Sequence, residues 1–148
     1  MNERQVGYEL RLAEQAWRKT LEPPLRELGL TVPQYSTLRA LQRTPGATSA
    51  ELARSAFVTP QTMNAIVLQL EEARLIERTA RTSNLRARDA KLTPAGAALF
   101  TKARRLVHRI ETGALTGLGQ AGGDELVTLL ECFTAALEGT GSRPAAGA

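Results

Sequence analysis

SAELARSAFVTPQTMNAIVLQLEEARLIERTARTSNLRARDAKLTPAG, residues 49–96, decides the fold. Thr48 and Glu51 stand three apart before an apolar step. That is a capping-box pattern, so SAELARSA is expected to be a short helix. Phe57-Val58 is a connector. Thr59-Pro60 reads as an N-cap followed by proline at the first helical position, where no amide is needed. The helix it opens should run to about Arg74. Met63, Ile66, Val67 and Leu70 recur at i, i+3, i+4 and i+7 and mark its buried face. Leu75–Ala80 and Arg88–Leu92 read as two short strands around a polar loop, Arg81–Ala87. Thr93-Pro94 is a second threonine cap with proline. A short helix, a turn, a second helix and a hairpin make a helix-turn-helix with a candidate wing.

The rest of the 148 residues extends that unit. Upstream, residues 4–22 carry Val6, Leu10, Ala13, Trp17 and Leu21 near helical spacing, and Pro23-Pro24 should end or kink the helix. Thr31 and Gln34 form another capping box, before Tyr35, Leu38 and Leu41. Pro45-Gly46 stops that helix. Downstream of Pro94, a long helix carries Phe100, Ala103, Leu106, Val107 and Ile110. Gly117–Gly123 breaks the pattern. A last helix at 123–138 carries Leu126, Leu129, Leu130, Phe133 and Leu137. The fold class is therefore mainly α with a small β-hairpin. The expected parts are a winged helix-turn-helix at 31–93, dimerisation helices at 1–30 and 94–138, and a disordered tail at 139–148. The two outer helices carry more apolar surface than one small domain would bury, which points to a second copy.

Composition narrows the function. Apolar residues make up 43% and charged residues 23%, a globular balance. One cysteine, Cys132, and one histidine, His108, exclude an internal disulfide and a single-chain zinc or haem site. No metal and no cofactor is expected. Cys132, on the last helix, reads as a buried structural thiol. No apolar run approaches membrane-spanning length, and the start has no signal-peptide core, so a cytoplasmic protein is expected, with no membrane partner. No carboxylate cluster or nucleophile–base pair marks an enzyme.

The net charge is +4. Residues 74–91 hold six basic residues against two acidic ones, and the remaining chain carries 13 of each. The whole excess lies on the candidate wing, as a footprint for a polyanion would. A solvated basic loop is the competing reading. The coincidence with a hairpin directly after a helix-turn-helix weighs against it. The second helix of such a motif enters the major groove. Gln61, Thr62, Asn64, Ala65 and Leu68 lie opposite its buried face. Amides can pair with adenine, a hydroxyl can bond either way, and Ala or Leu can pack on a thymine methyl. No basic residue lies between Arg54 and Arg74. Backbone affinity should come from Arg81, Arg86 and Arg88, with Arg54 and the capped start at Thr59, and with Arg39 and Arg43 in support. Arg86, near the expected loop tip, suits the minor groove.

These segments also resemble a known family. LTVPQYSTLRAL (30–41), the run 49–78 and KLTPAG (91–96) are similar, in order and spacing, to the MarR family of winged-helix regulators over residues 4–138. The resemblance implies a homodimer joined through its first and last two helices, binding a palindromic operator in double-stranded DNA. It implies a repressor released by small anionic, often phenolic, effectors. Trp17 and His108 are candidate pocket-lining residues. Three features depart from the family pattern. Asn84-Leu85-Arg86 stands where Asp-x-Arg is common, Arg74 where a glycine often precedes the wing, and Ala65, Leu68 and Gln69 where charged residues are frequent. The alternative function is a small-molecule or redox sensor that acts through protein contacts, with DNA binding weak or lost.

Overall fold

The computed structural model describes residues 5–81 and 84–141, with side chains described except at 80, 81, 84–88, 140 and 141. Six helices run in order: α1 (Val6–Glu27), α2 (Val32–Arg43), α3 (Ser49–Ala56), α4 (Pro60–Glu72), α5 (Pro94–Leu115) and α6 (Gly119–Gly141). Strands β1 (Ile76–Arg81) and β2 (Asn84–Leu92) fall between α4 and α5, and a 3-10 turn, Thr116–Leu118, precedes α6.

The caps form as the sequence predicts. Thr31 and Gln34 close a capping box on α2, and Thr48 and Glu51 close one on α3. Thr59 Oγ1 accepts from the Thr62 amide, with Pro60 in the first turn of α4. Each cap satisfies an orphan amide and contributes about 1 kcal/mol.

Residues up to Val107 form one compact unit and those from His108 onward a second, with α5 crossing the boundary. The core belongs to the first unit. Leu21 and Leu25 of α1, Tyr35, Leu38 and Leu41 of α2, and Leu52 of α3 are buried with all four expected residues of α4. Ile76, Ala90, Phe100, Ala103 and Val107 complete it. The Tyr35 and Phe100 rings stack at 5.8 Å. Each large side chain buried this way stabilises the fold by roughly 1.5–3 kcal/mol.

Three differences from the expected boundaries have physical causes. Pro23 and Pro24 lie inside α1 instead of ending it. The carbonyls that lose donors, of Lys19 and Thr20, are on exposed residues, and buried Leu21 and Leu25 hold the last turns against the core. The glycines at 119–123 do not break the last helix. α6 starts at Gly119 and reaches Gly141, into the stretch expected to be disordered; the rest of that tail, 142–148, lies outside the described residues. A Cβ at Gly122 would lie 3.0 Å from Leu118 Cβ, and one at Gly123 would lie 3.5 Å from Leu115. Small residues here let α6 start close to the preceding turn. The strands also reach further than expected. β2 begins at Asn84, and the pairing shifts register between Ala80 and Arg81.

The helix ends share one device. Leu30 N donates to the Leu25 carbonyl, Val58 N to Ala53 and Leu75 N to Leu70. Each is the long bond of a Schellman turn, whose preceding residue takes left-handed backbone. Gly29 does so at φ 77, but Phe57 (φ 55) and Arg74 (φ 57) do so with full side chains. The departure at Arg74 is thus a non-glycine residue held in a conformation that glycine would adopt without strain.

Candidate nucleic-acid interface

α4 presents two faces. Met63, Ile66, Val67 and Leu70 are buried, while Gln61, Thr62, Asn64, Ala65, Leu68 and Gln69 are exposed. The side-chain amides of Gln61 and Asn64 make no hydrogen bond among the described residues. Thr59 Oγ1 donates to Thr62 Oγ1 at 3.0 Å and accepts the Thr62 amide at 3.2 Å. The Thr59 proton is therefore spent inside the cap, and the Thr62 hydroxyl proton is left to point outward. Thr59 orients the helix start more than it offers a contact of its own. Arg54, in the last turn of α3, is exposed one turn away, as are Arg39 and Arg43 of α2.

The hairpin is fixed to α4 by contacts not anticipated from the sequence. Arg78 Nε donates to Glu71 Oε2 at 2.7 Å, joining β1 to the end of α4, with both side chains partly buried. Lys91 lies 3.4 Å from Glu77 across the strands. Among the described residues Arg78 and Lys91 are therefore paired, and the partly buried Arg78 pair ties the hairpin to α4. Gln34 Nε2 donates to Gln69 Oε1 at 3.1 Å, bracing α4 from the α2 cap. The cue for the Glu71–Arg78 pair was present as opposite charges seven apart across a helix end. Nothing in the spacing marked Gln34 as more than a capping residue.

Where α5 begins, the wing is locked to the end of α4. Thr93 Oγ1 donates to the Arg74 carbonyl at 2.7 Å and accepts the Gly96 amide at 3.0 Å. The Thr93 amide donates to the Leu75 carbonyl at 3.0 Å. On the other strand, the Ala90 carbonyl accepts the Gly46 amide from the α2–α3 loop.

The structure places Arg81 at the end of β1, Arg86 within β2, and Arg88 opposite Ala80. Arg86 is thus a strand residue and not a loop-tip residue. The side chains of all three lie outside the described residues. Trp17, on α1, is 36% exposed, and His108, on α5, is exposed. Cys132 is exposed in the single chain, where a buried thiol was expected. The α6 stripe on which Cys132 lies was expected to face a second copy, and in the single chain Leu126, Leu129, Leu130, Phe133 and Leu137 are 37–59% exposed. Among the described residues no group of acidic, histidine or cysteine side chains could hold a metal ion, and no helix is long and apolar enough to cross a membrane.

Residues 28–87 match the family model described as MarR family. The chain is 38% identical over 126 residues to the HTH-type transcriptional repressor Rv2887 of Mycobacterium tuberculosis, covering 85% of this chain and 91% of that protein. The structure of Rv2887 in complex with DNA superposes with a TM-score of 0.73 at 35% identity, over 88% of this chain and 98% of that one. Its complex with salicylic acid gives 0.76 at 36% identity, over 89% and 98%. With this likeness extending over helices, hairpin and flanking elements alike, the chain belongs to the MarR family of transcriptional regulators.

Proposed function

We propose that the chain is a homodimeric, ligand-responsive repressor that reads a short palindromic operator. It works in the cytoplasm and has no enzymatic activity. The observation that carries this reading is α4 itself. Its exposed face offers amides, a hydroxyl and methyl groups, while its opposite face is locked into the core and its end is tied to a basic hairpin. That pairing suits base edges in the major groove and phosphates beside it. Gln61, Thr62, Asn64 and Ala65 read bases, with Thr59 setting the helix start. Arg54, Arg81, Arg86 and Arg88 supply the backbone charge, with Arg86 in the minor groove.

The exposed apolar side chains of α1 and α6 support the dimer, because water-exposed stripes of this size are stabilised when a second copy covers them. The elements at 1–30 and 94–138 are the proposed dimerisation parts. The neighbouring complex with salicylic acid supports a phenolic, anionic effector. Trp17, with an aromatic face, and His108, with an imidazole, are each separate candidates to contact it.

Selection of duplexes from a random-sequence pool by the wild-type protein tests this reading. A two-fold symmetric consensus is expected. Asn64→Ala should weaken binding by about 1–3 kcal/mol and relax preference at one base pair per half-site. Recovery of no consensus from the pool contradicts the proposal.

A further inference from the structure

Phe57 carries two unfavourable features at once. It holds left-handed backbone, which L side chains rarely adopt. Its ring is 91% exposed, the most exposed large apolar side chain among the described residues. The bond from Val58 N to the Ala53 carbonyl holds the backbone in place, but nothing in the single chain covers the ring. The backbone role could be filled by glycine, as Gly29 fills it at the end of α1. The side chain is thus unexplained by folding, and strain of this kind points to function.

Its position indicates the occupant. Phe57 lies two residues before Thr59, the cap of α4, so the two Cα atoms are at most about 7 Å apart. Anything met by the first turn of α4 is within reach of the ring. The exposed residues flanking it along the chain are Arg54, Ser55, Thr59, Pro60, Gln61 and Thr62, while Val58 is half-buried. A lone ring among a cation, hydroxyls and an amide does not resemble the apolar centre of a protein–protein contact. It matches a surface that meets charged phosphates and apolar nucleotide edges together.

We propose that Phe57 is a further DNA-contact residue, packing its ring on the apolar surface of a nucleotide at the edge of the half-site read by α4. This rests on the DNA-binding reading above. An apolar contact releases no counterions, so Phe57 and the wing arginines should differ in salt dependence.

The test compares wild type, Phe57→Gly, Phe57→Leu and Arg74→Gly on the selected operator duplex. Both glycine variants should melt no lower than wild type, since each relieves the same backbone conformation. Phe57→Gly should bind about tenfold more weakly, with an unchanged slope of log affinity against log salt. Phe57→Leu, which keeps an apolar side chain, should recover most of the loss. Deoxyuridine in place of thymidine at the half-site edge distinguishes the two nucleotide surfaces. If wild type loses affinity there, the ring covers a thymine methyl; if not, it covers a deoxyribose. Wild-type affinity in Phe57→Gly overturns the inference, as does a loss accompanied by a flatter salt slope. Failure of wild type to select any duplex overturns instead the DNA-binding reading beneath it.

Discussion

Gly96→Ala should destabilise the fold by about 3 kcal/mol or more. A Cβ at Gly96 would overlap the Leu75 carbonyl oxygen, with the carbonyl carbon 2.8 Å away. That neighbour is backbone, so no side chain can rotate to make room. Either the start of α5 or the segment between α4 and β1 must move. Both are held by the same residue. Thr93 bonds the Arg74 carbonyl through its hydroxyl and the Leu75 carbonyl through its amide, and its hydroxyl also accepts the Gly96 amide. Relieving the overlap therefore breaks hydrogen bonds as well. Urea unfolding at fixed protomer concentration checks it. A loss below about 1 kcal/mol would show that this junction has room to adjust. The motif KLTPAG is then intelligible in physical terms: threonine for the lock, proline for the first turn, glycine for the close approach.

The paired substitution Leu130→Asp and Phe133→Asp should convert the protein to a monomer at micromolar concentration. It should also lower affinity for the palindrome by at least about 100-fold, because linked half-site contacts gain from effective concentration. Both side chains are exposed in the single chain, and the core lies in residues up to Val107. The new carboxylates thus remain in water in a monomer, and helical content should persist. Sedimentation and circular dichroism check both statements. A variant that stays dimeric would show that α6 is not the joining surface.

Most of the fold was readable from local rules. Thr31, Thr48, Thr59 and Thr93 each announce a helix start, because an orphan amide needs an acceptor at a fixed offset. The face of α4 was readable because Met63, Ile66, Val67 and Leu70 keep one period. Harder to read were effects that depend on neighbours distant in sequence. Pro23 and Pro24 look like a stop until Leu21 and Leu25 are seen in the core. The glycines at 119–123 look like a break until their close approach to Leu115 and Leu118 is known. Arg78 counted toward the wing's charge until Glu71 was found to hold it. Phe57 passed for a connector because its left-handed backbone normally goes with glycine. The base-reading candidates on α4 were legible as a face, whereas the braces behind them, Gln34 to Gln69 and Arg78 to Glu71, required coordinates.

The most direct test of a dimeric reader anchored by its wing is the salt dependence of binding to the selected palindrome, for wild type and Arg86→Ala. With four arginines per protomer on phosphates, log affinity should fall against log salt with a slope on the order of −7, and Arg86→Ala should flatten it by about 2, one contact from each protomer. A shallow slope that Arg86→Ala leaves unchanged would contradict the account.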